Sequence, residues 1–266
     1  MNSDRITFLG TAGARIMVSK QILASGGAWM ELAGQKIVVD PGPGSLVQAI
    51  KRKLDPSKLD AIILSHKHLD HSGDINIMIE AMTEGGFTKR GVVFAPSDAL
   101  EGDPVILRYL RYFPERIETL AEGKSYTLGD LRFETPLCHI HPVDTYGLVF
   151  QTPKHTFSWV VDSRYFEGLK TAYRGELVII NIVRLEPHGY IEHLSVPEAE
   201  EIIKSIRPKL AVLTHFGMTM WRAKPWEIAA AMTQRTGVKV IAARDGMKLD
   251  LDNLSCDPGG SSEAQP

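Results

Sequence analysis

The stretch Ser65-His66-Lys67-His68-Leu69-Asp70-His71 places four candidate metal ligands within six residues. Neutral imidazole binds zinc, iron and other divalent transition metals, and a carboxylate adds a hard oxygen donor. Residues two apart, His66 and His68, can chelate one ion together, whereas the adjacent Asp70 and His71 project elsewhere and can serve a second. The plain alternative is a polar loop that merely happens to be rich in histidine; the density of the cluster and its setting argue against it.

Further candidates recur at the ends of apolar runs. All nine histidines lie between His66 and His215, and five of them, with Asp70 and Asp162, fall at ends of predicted strands. His139 and His141 sit two apart in an extended segment and would point to the same side, so residue type alone leaves either as a ligand. Asp40, Asp162 and His215 each follow an apolar run; a lone aspartate there is most often a turn residue. His193 lies in a loop just before a helix start, where a histidine can deliver a proton or simply pack against the turn. Glu192 beside it is a candidate to orient it, and His155 has no motif around it.

These residues need strands to aim them. Residues 61–64 read as a buried strand, and Ile75, Ile77, Met78, Ile79 and Met82 follow Gly73 at near-helical spacing. The cluster therefore falls in a turn between the carboxyl end of a strand and a helix, a common location for α/β sites. Residues 6–9 form a first strand closed by Gly10-Thr11-Ala12-Gly13, small residues that permit a tight turn and close approach. Residues 28–32 and 36–40 read as a hairpin, broken by Pro41-Gly42-Pro43-Gly44. A helix from residue 46 ends in Lys51-Arg52-Lys53, a solvated face at a helix end. Further strands are expected at 92–95, 131–138, 157–163, 176–181, 210–215 and 238–242. Ser195-Val196-Pro197-Glu198 has the spacing of a capping box opening a helix, and 225–234 reads as another helix. Residues 105–113 are aromatic-rich without a clear period. The expected organisation is one domain over 1–254 and a disordered polar tail over 255–266.

At 266 residues the chain can bury a substantial single core. A net charge of −2 gives no global attraction to nucleic acid. Cys138 and Cys256 lie in unlike surroundings, which speaks against a disulfide framework and for a reducing compartment. No run is long enough to span a bilayer and the start lacks a secretory core, so a cytoplasmic location is expected.

The His-x-His-x-Asp-His arrangement at 66–71 resembles the metallo-β-lactamase fold superfamily. Phe8-Leu9-Gly10-Thr11-Ala12-Gly13-Ala14-Arg15, with the aromatic and glycine Tyr146-Gly147 after His141, is similar to the ribonuclease Z and PhnP-type phosphodiesterase branch, which has a glycine where this chain has Ala12. Val161-Asp162-Ser163 stands where many members carry Gly-Asp-Thr. The resemblance covers roughly residues 5–251 and implies an αββα four-layer sandwich, a fold class for which periodicity alone supports only α/β. It implies His66, His68 and His141 at one ion, Asp70, His71 and His215 at a second, Asp162 bridging, and Asp40 supporting the site from behind. It favours His141 over His139, and it sets His193 over a substrate phosphate, making Asp70 and His193 the candidate catalytic residues. Two divalent metal ions are implied, zinc first, with manganese or iron also compatible with the carboxylates. Such a pair clamps a displacement and lowers the pKa of a shared water to near 7, giving a bridging hydroxide. A small or short phosphodiester is the expected substrate; a homodimer is compatible. A lactone, thioester or β-lactam hydrolase, a non-haem iron oxidoreductase and a metal-binding module without turnover are the alternatives, since fold does not fix chemistry.

Overall fold

The computed structural model describes residues 3–257. Two mixed sheets face each other. The first holds β1 (Arg5–Phe8), β2 (Ala28–Leu32), β3 (Gln35–Val39), β4 (Ala61–Ile63), β5 (Val92–Ala95) and β6 (Arg116–Thr119). The second holds β7 (Lys124–Leu128), β8 (Leu131–Thr135), β9 (Leu148–Gln151), β10 (Thr156–Val160), β11 (Leu177–Asn181), β12 (Leu210–Thr214) and β13 (Lys239–Ala242). The chain then returns to the first sheet as β14 (Lys248–Asp250) and β15 (Ser255–Asp257), giving the orders β15-β14-β1-β2-β3-β4-β5-β6 and β13-β12-β11-β10-β9-β8-β7. Strands β3 to β6 run parallel to one another, as do β10 to β13.

The alternating pleat explains the layers. In β1, β3 and β4, Ile6, Phe8, Ile37, Val39, Ala61 and Ile63 enter the core between the sheets, with Phe133, Phe150, Phe157 and Trp159 from the second. The opposite faces of the central strands are apolar as well, because helices cover them. Val38, Ile62 and Val93 pack under Ala49 of α2 (Ser45–Lys51) and Ile75, Met78, Ile79 and Met82 of α4 (Ile75–Met82). Val178, Ile180, Ala211 and Leu213 pack under Ala199, Ile202 and Ile203 of α5 (Val196–Ile206) and Ala229 and Met232 of α6 (Pro225–Thr236). Helix, sheet, sheet, helix is the expected αββα sandwich.

Several local expectations shift. Strand β8 stops at Thr135 rather than reaching Cys138, so 136–146 is free to cross toward the first sheet, where the Tyr146 amide bonds the Ser65 carbonyl. The aromatic stretch contains a short 3₁₀ helix, Arg108–Tyr112. The expected tail boundary at 254 is too early: Ser255–Asp257 pairs antiparallel with β14, and the remainder of 255–266 lies outside the described residues. No helix among the described residues is long and apolar enough to cross a membrane.

Candidate metal centre

One edge of the sandwich collects the strand ends that carry the chemistry. The segment after β4 brings His66 and His68 and then the single-turn helix α3 (Leu69–Ser72), which contains Asp70 and His71. Asp162 follows β10, His215 follows β12, and His141 and His193 come from the loops after β8 and β11. Gly13 makes room for this convergence: a Cβ there would lie 2.2 Å from His215 Nδ1, so no larger residue fits. His215 itself has φ +61° and Asp40 φ +52°, left-handed conformations held by the surrounding structure, as strained residues at sites commonly are.

Two donor groups result. His66, His68 and His141 form one; Asp70, His71, Asp162 and His215 form the other, each with its donor atoms mutually within 4.8 Å. His68 Nδ1 lies 3.0 Å from His141 Nε2. In the second group His71 Nε2 is 3.0 Å from His215 Nε2 and 3.4 Å from Asp162 Oδ2, and His215 Nε2 is 3.4 Å from Asp70 Oδ2. Donors about 2.0–2.1 Å from a tetrahedral ion stand ~3.3 Å apart, so these separations suit ligands sharing an ion. Asp162 Oδ2 is also 3.9 Å from His66 Nε2, which puts one carboxylate oxygen near both groups.

The orphaned atoms give the sharper test of fit. His66 Nε2, Asp162 Oδ2, His193 Nδ1 and His215 Nδ1 are buried without a hydrogen-bond partner. Unpartnered buried polar atoms are costly, and four of them in one cluster of nitrogen and oxygen donors match a cation's requirements. The residues present therefore fit divalent metal ions.

Asp40 organises both groups from behind. Its Oδ2 lies 2.9 Å from His71 Nδ1, and since a carboxylate only accepts, Nδ1 donates and Nε2 keeps its lone pair for the site. The same oxygen accepts from Ser65 Oγ at 2.7 Å, and Ser65 Oγ in turn lies 3.0 Å from His66 Nδ1. With its own proton given to Asp40, the hydroxyl receives the Nδ1–H of His66, leaving that Nε2 free as well. The Ser65 amide completes the set, donating to Asp40 Oδ1 at 2.6 Å.

The His139–His141 alternative separates by partners. Buried His139 donates from Nδ1 to the Asp162 carbonyl at 3.0 Å and accepts at Nε2 from the Tyr173 hydroxyl, so both nitrogens are engaged. His141 gives Nδ1 to the Glu192 carbonyl at 3.0 Å and turns Nε2 toward His68. Glu192 thus serves His141 through its backbone; His193 faces Asp162 instead, with Nδ1 3.4 Å from Oδ2. Unassigned His155 bridges Glu176 at 2.5 Å and Asp252 at 3.0 Å, away from the cluster.

Burial sets the protonation pattern. It pushes His141 and His139 down to about 4 and lowers His66, His68 and His193, which favours neutral imidazole. Burial opposes ionisation of Asp162 and Asp70, but His215, His193 and His71 around the first, and His71 and His215 around the second, hold both below the usual carboxylate range. Burial also opposes a charge on His71, yet Asp70, Asp40 and Asp162 raise its proton affinity well above that of a free imidazole, and a cation held at Nε2 would take the place of that second proton.

Asn181 and Ser65 belong to the supporting set and were not assigned from sequence. Asn181 Nδ2 donates to Asp162 Oδ1 at 2.9 Å while its Oδ1 accepts from Trp159 Nε1 at 2.9 Å. The available signal was a lone polar residue closing the apolar run of β11. A cleft of about 1320 Å³ opens over the cluster, lined by α1 (Ala14–Lys20), His68, Asp70, His141, Asp162 and the 183–193 loop.

A four-layer sandwich with clustered histidines and aspartates at one edge is the architecture of the metallo-β-lactamase fold, and residues 35–216 match the family model described as a β-lactamase superfamily domain. The chain belongs to that superfamily, whose members here include metal-dependent hydrolases. It is 32% identical over 257 residues to an uncharacterized protein of Methanocaldococcus jannaschii, covering 93% of this chain and 95% of that one. Among solved structures, the metallo-β-lactamase fold protein YhfI of Bacillus subtilis superposes with a TM-score of 0.77 at 21% identity, covering 94% of this chain and 100% of that one. The short form of human tRNase Z gives 0.71 at 16% (93% and 99% covered), and a diphosphatase of the PhnP family gives 0.67 at 17% (93% and 98% covered).

Proposed function

We propose that this protein is a dinuclear metal-dependent hydrolase acting on a phosphodiester. The observation that carries the reading is His193: it lines the cleft beside both donor groups and belongs to neither. Hydrolysis of a phosphodiester needs a nucleophile, neutralisation of phosphoryl charge and a proton for the departing alkoxide. Bound ions would supply the first two by activating water at neutral pH and drawing charge from the phosphoryl oxygens. His66, His68 and His141 would hold one ion, Asp70, His71 and His215 the other, with Asp162 between them.

His193 supplies the third requirement. Its Nδ1 faces Asp162 Oδ2 at 3.4 Å, a carboxylate that offsets part of the burial that lowers the ring's proton affinity. The remaining nitrogen, Nε2, is the one that can hold a proton for the leaving group. Asp70 contributes as a ligand. Glu192 helps by fixing His141, and Asn181 by fixing Asp162. The tRNase Z and PhnP-family diphosphatase likenesses support chemistry at phosphorus.

The test is turnover of bis(p-nitrophenyl) phosphate by metal-loaded protein, beside a panel of a lactone, a thioester and a β-lactam. The reading predicts preference for the phosphodiester. Turnover confined to a carboxylic ester or lactam overturns it, and oxygen consumption with an iron-loaded protein would point to the oxidoreductase alternative.

A further inference from the structure

We infer that Asp245 is a positioning residue: from the turn between β13 and β14 it fixes both ends of the loop that carries α1, and so sets the wall against which the substrate lies. The inference goes beyond the phosphodiesterase reading and holds for whichever ester the centre cleaves. Residues 14–19, nearly the whole of α1, line the cleft beside His68, Asp162 and His193. Asp245 Oδ1 accepts from the Thr11 amide at 2.9 Å and from the Thr11 hydroxyl at 2.7 Å, ahead of the helix. Its Oδ2 accepts from the Ala24 amide at 2.7 Å, beyond the helix. One carboxylate, far along the chain, thus clasps both ends of the loop.

The helix depends on its ends. It has seven residues, is capped by Gly13, which has no side chain to bond the first amides, and buries Met17. A helix that short is marginal by itself. Ala14 and Gln21 turn the chain into and out of it at φ +64° and +48°, left-handed conformations that non-glycine residues hold when their surroundings impose them. That constraint sits at the neck of the loop. The Ala12 amide donates to the Ala24 carbonyl at 3.0 Å, and Gly10 admits the same carbonyl, since a Cβ there would stand 2.2 Å from its oxygen. Gly13 has a bond of its own, to the Phe216 carbonyl at 3.1 Å, so its contact with His215 does not rest on Asp245.

A charge is also placed to serve the clasp. Arg52, between the exposed Lys51 and Lys53 at the end of α2, turns partly inward, and its guanidinium lies over Gly246, where a Cβ would fall 2.6 Å from Nη2. Burial pushes the Asp245 carboxyl above its ordinary value, against the bonds from Ala24 and Thr11 and the charge of Arg52. The clasp needs a carboxylate rather than an amide, because a backbone donor points at each oxygen. An asparagine presents one acceptor oxygen and one NH₂, so whichever way it lies, the Thr11 or the Ala24 amide meets a donor. One end of the loop is then released.

Amide hydrogen exchange of the metal-loaded protein without substrate tests the clasp, and steady-state kinetics test its use. Losing a hydrogen bond to a charged acceptor shifts a local opening equilibrium by about ten- to a hundred-fold. Exchange over residues 12–24 should quicken by that factor in Asp245→Asn, while β10 to β12 keep their protection. Trypsin should cut the variant faster at the exposed Arg15 and Lys20. With bis(p-nitrophenyl) phosphate, or whichever ester turns over, KM should rise about ten-fold with kcat within about two-fold and metal content unchanged, a split that general destabilisation does not produce. Thr11→Val, which removes the hydroxyl bond and keeps both amides, should show the same pattern at smaller size, and it carries the test if Asp245→Asn does not fold. Unchanged exchange over 12–24, or exchange quickened equally across β10 to β12, overturns the inference; so does a loosened loop with KM unchanged. If no ester turns over, the phosphodiesterase reading fails, while the exchange and trypsin results still decide this one.

Discussion

Replacing Asp40 by asparagine perturbs both donor groups through one buried side chain. In the native protein Asp40 Oδ2 receives His71 Nδ1–H directly and His66 Nδ1–H through Ser65 Oγ. An asparagine of the same size can still accept from the Ser65 amide, but its NH₂ then faces Ser65 and His71. A donor opposite His71 Nδ1 favours the tautomer protonated on Nε2, and that proton points at the position of an ion. Changes to groups that orient ligands typically weaken metal binding about 10–100-fold, and Asp40→Asn should fall in that range for both ions because it serves both. Exchanging a charged acceptor for a neutral one across three contacts should cost about 2–3 kcal/mol, or roughly 5–10 °C in Tm for a domain of this size. Chelator competition measures the affinity, and ¹⁵N NMR of the imidazoles reports the tautomer. Unchanged affinity for both ions, with His71 still protonated at Nδ1, would refute the reasoning.

Other expectations follow from the same contacts. His141→Ala should remove bound metal, whereas His139→Ala should keep it and cost about 2–4 kcal/mol in urea unfolding, since it leaves a cavity and strands the Tyr173 hydroxyl; the reverse pattern would mean the ligand register is wrong by two. His193→Ala should retain both ions and lose roughly 10²–10⁴-fold in turnover, less with a p-nitrophenolate leaving group than with an alkyl alcohol. Equal losses with both leaving groups argue against proton delivery. Burial lowers His155, but hydrogen bonds to Glu176 and Asp252 carry it above its ordinary value. Its stabilisation is therefore complete below about pH 6.5 and fades as pH rises through the elevated folded value. His155→Gln should thus destabilise more at pH 6 than at pH 9, measured by urea unfolding of the metal-free protein; a pH-independent difference contradicts it.

Most of the candidate site was legible because its residues are rare types at constrained spacings. His66, His68, Asp70 and His71 need only a strand and a turn to converge, and residues 61–64 supplied the strand signal. The sandwich was legible through the resemblance, since the parallel central strands are apolar on both faces and carry no period that distinguishes a sheet's partner. What sequence left open depends on contacts between distant segments. His139 and His141 share one face of an extended chain, and only Tyr173, 34 residues on, and the Glu192 carbonyl separate their roles.

The central claim is a two-ion site built from these seven side chains, and calorimetric titration of metal-free protein with zinc tests it most directly. The account predicts two ions bound per chain in the wild type, and loss of at least one in each of His68→Ala and His215→Ala with the fold retained by circular dichroism. Two ions still bound in both variants, or none bound by the wild type, would contradict it.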